Sequence, residues 1–309
     1  MPAVEVQGLV KEYGPVVAVD GIDFSVADGE VFSFLGPNGA GKTTTVEILE
    51  GLRRATRGKV RVLGRDPWND GADLHREIGV IPQEFRFFEK ITPREAILYY
   101  GALFDKSPDA DDLLQKVALA DKAEARFDTL SGGQKQKLGL ALSLVSEPKI
   151  CFLDEPTTGL DPQARRAIWE VIRSLRREGR TVFLTTHYLE EAELLSDHVA
   201  IINRGRIIAE GTPKEIIRAH GGPDRLRFEA PAQLATALGT RIDLPIRAES
   251  GYVDVELHGP QDALRILTAA NTSGVPWGRF TVQQDTLEDV FVRLVGRMDD
   301  GVLKSEAPA

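Results

Sequence analysis

Residues 31–52 read VFSFLGPNGAGKTTTVEILEGL, and the fold turns on this stretch because its character changes twice within it. Val31 to Leu35 is an apolar, β-prone run. A glycine-rich turn follows, and beyond it Val46, Ile48, Leu49 and Leu52 recur at helical spacing. Gly36, four further residues and then Gly41-Lys42-Thr43 match the phosphate-loop pattern, in the strand-to-helix context that makes the match credible. The physics is direct. Glycines let backbone N–H groups turn inward around phosphate oxygens, and the helix start adds a partial positive charge. Lys42 reaches the terminal phosphates, and the Thr43 hydroxyl is offered to Mg²⁺. Gly36, Pro37, Asn38, Gly39, Ala40, Gly41, Lys42, Thr43 and Thr44 are therefore the candidate nucleotide contacts. A plain glycine-rich turn would explain the glycines but not the context.

Two more apolar runs, Ile150 to Leu153 and Thr181 to Leu184, flank the helix-like PQARRAIWEVIRSLRREG, and their lack of alternation reads as buried parallel strands. In ICFLDE the first run delivers Asp154 and Glu155 to the carboxyl end of a strand, where α/β sheets place ligands. Asp154 is the candidate to hold Mg²⁺ through water, and Glu155 to polarise the attacking water as general base. Without a phosphate loop, the same pair would read as a solvated acidic turn. His187, after VFLTT, emerges at the same edge and can sense or bridge the γ-phosphate; alone, it would more often be structural. Gln83, in VIPQE, offers an amide oxygen to Mg²⁺ or water, or is an ordinary loop glutamine. Tyr13, in the turn KEYGP, either stacks on a purine or is a surface tyrosine.

Residues 130–137 read LSGGQKQK, a donor-rich turn with no acid, base or nucleophile of its own. With GPNGAGKTT, VIPQE, CFLDEP, TGLD and LTTH it completes a set that resembles the ATP-binding cassette family, in the family's order, over roughly residues 3–215. LSGGQ is the specific member of that set. The resemblance implies an α/β fold, a P-loop NTPase cassette: a RecA-like parallel-sheet core with an antiparallel β N-terminal part and a helical insert. It also implies two cassettes paired head to tail as a homodimer. Ser131, Gly132, Gly133 and Gln134 of one copy would then close over the ATP held by the other, with Asp161 in the loop between the two sites. A serine hydroxyl and glycine N–H groups at a helix start suit that task. The resemblance further implies a separate transmembrane permease, docked near Gln83 and Glu84 to Glu89, with Phe85, Phe87 and Phe88 as candidate contacts or, equally, as core residues. The ending TLEDVFVRLVG resembles the cassette subunits of drug-resistance and polysaccharide or lipid exporters, including the daunorubicin-resistance type. Lys135 and Lys137 stand where arginine is commoner in the family.

The organisation expected is a cassette over 1–221 with helices at about 84–146, a small α+β domain over 222–297 for dimer stability or regulation, and a flexible tail at 298–309. The net charge of −9 argues against a nucleic-acid partner. The single cysteine, Cys151, excludes an internal disulfide and fits the cytoplasm, and the resemblance implies a place on the cytoplasmic face of the cell membrane. No apolar stretch approaches a membrane span. Two other classes compete. A soluble cassette ATPase serving DNA or ribosomes would need either a long coiled coil between phosphate loop and signature, or two cassettes in one chain. An inactive regulatory cassette would lack catalytic residues that are all present here. Import in place of export is the remaining alternative, and the cargo is not written in the chain.

Overall fold

A computed structural model describes residues 1–82, 85–259 and 261–299, and the chain divides into two units, 1–213 and 214–309. The N-terminal unit opens with two long strands, β1 (Val4–Tyr13) and β2 (Val16–Val26), followed by β3 (Val31–Leu35) and helix α1 (Lys42–Leu49). Next come β4 (Arg57–Val62), the short α2 (Gly71–Leu74) and β5 (Ile78–Ile81). A helical stretch follows: α3 (Pro93–Leu103), α4 (Ala110–Lys116) and α5 (Gly132–Ser143). The unit ends with β6 (Ile150–Asp154), α6 (Pro162–Arg177), β7 (Thr181–Thr186), α7 (Leu189–Leu195), β8 (His198–Asn203) and β9 (Arg206–Gly211).

β3, β6 and β7 are buried at every position. They are inner strands of a six-stranded sheet in the order β5-β6-β7-β3-β8-β9, parallel except for the antiparallel edge strand β9. Their side chains are divided between two apolar layers. Ile150, Phe152 and Phe183 point to the side of the three-stranded antiparallel sheet β2-β1-β4, while Cys151, Leu153, Val182 and Leu184 face the helices. Both faces are covered, so an alternating pattern would be unstable and a continuous apolar one is required. Between the sheets, Phe24, Phe32, Phe34, Phe152 and Phe183 form a contiguous aromatic layer, with neighbouring centroids 5.4 Å apart for Phe32–Phe183 and 5.6 Å for Phe152–Phe183. Such pairs contribute about 0.5–1.5 kcal/mol each beyond area burial.

On the other face, α6 buries Ile168, Val171, Ile172 and Leu175, a stripe at helical spacing. Asp161 starts that helix by accepting the Ala164 N–H at 2.8 Å, with Pro162 at the first position and Arg176 and Arg177 in the last turn. Among the described residues no helix is long and apolar enough to cross a membrane.

The C-terminal unit contains α8 (Pro213–His220), β10 (Arg225–Glu229), α9 (Gln233–Gly239), β11 (Ile246–Glu249), β12 (Tyr252–Glu256), α10 (Asp262–Asn271), β13 (Phe280–Gln283) and α11 (Leu287–Asp299). Its antiparallel sheet has the order β11-β12-β10-β13. Leu226, Phe228, Val253 and Val255 alternate inward to meet Leu234, Leu238, Ile266 and Ala270 of the helices. On the opposite face Arg227 and Asp254, partners in register, form two hydrogen bonds of 2.7 Å. The division at 213/214 falls eight residues before the one expected from the sequence. A knot of hydrogen bonds lies just beyond this division and reaches the end of α8. Asp285, whose side chain is 1% exposed, accepts from Gly222 N–H, Arg225 and Arg293, each at 2.7 Å, and Arg293 also donates to the His220 carbonyl.

Asp285→Ala leaves two arginines and a backbone N–H without their shared acceptor. Breaking a buried ion pair costs about 3–5 kcal/mol, and the partial exposure of both arginines brings the expected loss nearer 2–3 kcal/mol. For a unit of this size that lowers the melting transition by roughly 10–20 °C. Scanning calorimetry of the full chain measures it, and an unshifted transition rules out the role.

Candidate active site

The register of the parallel sheet aligns three strand ends. Leu35 pairs with Thr186, and Asp154 pairs with Thr185, so the residues that follow β3, β6 and β7 leave the sheet side by side. The loop after β3 begins at Gly36, where a Cβ would meet the Ile202 carbonyl oxygen at 2.3 Å. It ends at Gly41, whose φ is +110° and whose Cβ would lie 2.5 Å from the Ala18 oxygen. Both positions require glycine. α1 starts directly at Gly41 with no side-chain cap, so its first N–H groups remain available to an anion. A cleft of about 280 Å³ opens there, lined by Asn38, Gly39, Gly41, Lys42, Thr43, Thr44 and Glu155 together with Ala18. Lys42 is 6% exposed and donates to the carbonyls of Gly36 (2.7 Å) and Pro37 (3.2 Å). Burial lowers its pKa, against the pull of the Glu155 and Asp154 charges.

Asp154 and Glu155 are both buried, and one hydroxyl holds both. Thr185 Oγ1 donates to Asp154 Oδ1 and accepts the Glu155 N–H at 3.0 Å. Burial holds the Asp154 carboxyl above its ordinary range, opposed by the Thr185 hydrogen bond and the Lys42 charge. Glu155 adopts φ +48°, a left-handed conformation rare for a residue with a side chain, and it aims the carboxylate out of the strand direction. Its Oε2 accepts from Thr158 Oγ1 at 3.1 Å and lies 3.2 Å from His187 Nδ1, a pairing in which Nδ1 carries the proton. The arrangement is suited to binding a polyphosphate, with a carboxylate ready to take a proton beside the terminal phosphate.

The other expected contacts lie elsewhere. Ser131 is exposed at the start of α5 and forms a capping box: its Oγ accepts the Gln134 N–H at 3.3 Å, and Gln134 Oε1 accepts the Ser131 N–H at 2.9 Å. Gln134 is thus accounted for before any ligand is considered, and the serine keeps its own proton to donate. A Cβ on Gly132 would meet nothing within 4 Å, while one on Gly133 would touch Ala164 at 3.1 Å. Asp161 caps α6. None of Ser131 to Gln134, Asp161 or Tyr13 lines the phosphate cleft. Tyr13 ends β1 rather than sitting in a turn, and its ring faces Lys11 at 5.0 Å and Arg53 at 5.3 Å, contacts that a stacked purine must share or displace. Gln83, like Glu84, falls outside the described residues, as does the tail from residue 300.

Sequence reasoning missed Thr185, because a threonine in an apolar strand looks like strand filler. It also missed Glu50 at the end of α1. Burial first, then the charges of Asp154 and Glu47, push its carboxyl up to about 8. Of the three candidate phenylalanines, Phe85 and Phe87 pack on the core against Phe127, while Phe88 is 64% exposed.

A phosphate loop between β3 and α1 and a carboxylate pair at the end of β6, one strand removed across β7, define a P-loop nucleoside triphosphatase. The family described as "ABC transporter" matches residues 19–158. The sequence is 37% identical to the daunorubicin resistance ATP-binding protein DrrA3 of Streptomyces coeruleorubidus, over 99% of each chain. It is 39% identical to the Nod factor export ATP-binding protein I of Paraburkholderia xenovorans, over 96% of this chain and 97% of that relative. Among solved structures, an ATP-binding subunit of an ABC transporter matches with a TM-score of 0.65 at 29% identity, over 71% of this chain and 93% of that one. An ATP-bound bacterial Atm1-family exporter matches with 0.64 at 27%, over 71% and 40%. The chain belongs to the ABC transporter family, as an ATP-binding subunit that hydrolyses ATP.

Proposed function

We propose that this subunit powers an exporter of a drug, lipid or polysaccharide by closing and reopening as a head-to-tail dimer around ATP. One observation carries the reading: Lys42, Thr43 and Glu155 line one cleft, whereas the donors at Ser131 are exposed and outside it. Each chain therefore holds two complementary halves of a site. Export is favoured because relatives aligned over nearly the whole chain carry names of drug-resistance and export ATPases.

In the proposed reaction the phosphate-loop N–H groups and Lys42 bind the β- and γ-phosphates, and the partner's Ser131 hydroxyl meets the γ-phosphate from the far side. Glu155 takes a proton from the attacking water as the bond to the leaving ADP oxygen breaks, and His187 orients that carboxylate through Nδ1. Thr43 and Asp154, with Gln83, would hold Mg²⁺, which supplies charge neutralisation when bound. One carboxylate and one hydroxyl, completed by phosphates and water, is the donor set this ion prefers, and no all-protein cage occurs among the described residues. Loss of the shared γ-phosphate removes what favours the closed dimer, so it reopens. The C-terminal unit is proposed to stabilise or regulate that dimer.

The permease is proposed to dock on the apolar surface beside α3. Leu52, Phe88, Tyr99 and Leu103 are exposed there, next to a groove of about 270 Å³ bordered by Leu52, His75, Tyr100 and Phe104. The working position is then the cytoplasmic face of the membrane. Leu52→Asp combined with Phe88→Asp is expected to abolish co-purification with the transmembrane permease, while basal ATPase activity stays within about twofold. Co-purification of the parent with ribosomes alone would instead support a soluble ATPase.

A further inference from the structure

Near the reacting carboxylate lies another buried acid that the reaction does not use. Glu191, on the first turn of α7, is 0% exposed. Its Oε1 accepts the indole N–H of Trp169 at 2.8 Å, and its Oε2 accepts the hydroxyl of Thr157 at 3.2 Å. The hydroxyl of Thr186 is a third donor, and it in turn accepts the Tyr188 N–H at 2.9 Å. Burial raises the Glu191 pKa, and these three hydrogen bonds oppose that rise, with the more distant charge of Arg165 helping them.

The three donors come from three different segments. Thr157 lies two residues beyond Glu155. Thr186 immediately precedes His187. Trp169 belongs to α6, the helix that Asp161 starts. A second link runs alongside: the Arg165 guanidinium of α6 lies 4.2 Å from the Tyr188 ring centre, and that ring packs 4.2 Å from the His187 imidazole. Removing the carboxylate therefore leaves three buried donors, and each strand-end loop loses its tie to α6.

We propose that Glu191 is a positioning residue for ATP hydrolysis, holding the segments that carry Glu155, His187 and Asp161 at one fixed spacing. This rests on the reading of Glu155 and His187 as the groups at the γ-phosphate. Glu191 touches no reacting atom. Its effect is to keep the Glu155–His187 pairing at 3.2 Å while the loop that begins at Glu155 stays anchored to α6. A misplacement of about 1 Å in such a constellation slows turnover by up to about a hundredfold without altering binding made by the phosphate loop.

The test measures ATP affinity by calorimetry and steady-state kcat and KM in the full chain, for Glu191→Ala, Glu191→Gln and Trp169→Phe. Glu191→Ala is expected to lower kcat by about tenfold to a hundredfold with ATP affinity unchanged within about threefold. Glu191→Gln is expected to restore most of that loss, because its amide oxygen still accepts the Trp169 N–H and threonine hydroxyls can reverse direction. Parental kcat in Glu191→Ala overturns the proposal. So does a loss of kcat matched by equal losses of ATP affinity and melting temperature, the outcome of a merely structural role. If Glu191→Ala does not fold, Trp169→Phe decides: a kcat reduced by about threefold or more at unchanged KM supports the role, and a parental kcat rejects it. Glu155→Gln run in parallel separates the two claims. If it turns over normally, the reading of the site itself has failed, and not only the role of Glu191.

Discussion

Glu155→Gln is expected to bind ATP as tightly as the parent and to turn it over about 10²–10⁴-fold more slowly, the usual worth of a positioned general base. The substitution preserves volume and leaves an oxygen to accept from Thr158, so the left-handed turn and its anchor on Thr185 are retained. What disappears is the capacity to take a proton. Phosphate release measures the rate and calorimetry the affinity. Because the γ-phosphate then persists, the variant is also expected to accumulate as an ATP-bound dimer. Turnover within about tenfold of the parent would remove Glu155 from the role of base.

Ser131→Arg carries the second large effect. In the Glu155→Gln background with ATP, light scattering is expected to show monomers where the parent background shows dimers, and in the otherwise unaltered chain turnover falls by about a hundredfold or more. The local penalty is small, because an exposed N-cap contributes about 1 kcal/mol to its helix. The effect on assembly is large because a long side chain would occupy the space that a phosphate must enter. ATP affinity of the isolated chain should be unchanged, since Ser131 does not line its own phosphate cleft. Ser131→Ala, which removes the hydroxyl without adding bulk, should fall between the two. Normal dimerisation of Ser131→Arg would dismiss the assignment of this turn to the partner's nucleotide.

The strands that build the site were legible because their patterning has one physical cause. Runs such as ICFL and VFL are apolar throughout only when both sheet faces are covered, and the structure covers them. Helix α6 was legible in the helix-like stretch PQARRAIWEVIRSLRREG. α9 and β11 were not: each is short, and β11 is mostly exposed, so neither has a strong apolar pattern. Glu191 was hidden for another reason. It belongs to LEEAE, an acidic turn that by composition reads as a solvated face, and only tertiary placement against Trp169 marks one of its acids as interior. The structure divides the chain at 213/214, ahead of the linker-like Gly221-Gly222, and Arg293 ties the end of α8 to the C-terminal unit by donating to the His220 carbonyl.

The shortness of α1 has a consequence of its own. Eight residues make a rod of about 12 Å. Its first residue, Lys42, stands in the phosphate cleft. Just past its last lie Glu50, whose carbonyl is hydrogen-bonded to His75 at 2.8 Å, and the exposed Leu52 on the border of the apolar groove. No glycine, proline or bulge interrupts it. A displacement at the nucleotide end is therefore expected to reach the groove as tilt rather than be absorbed as bending, so that, with the permease docked as proposed, this helix would act as a lever between the nucleotide and that partner.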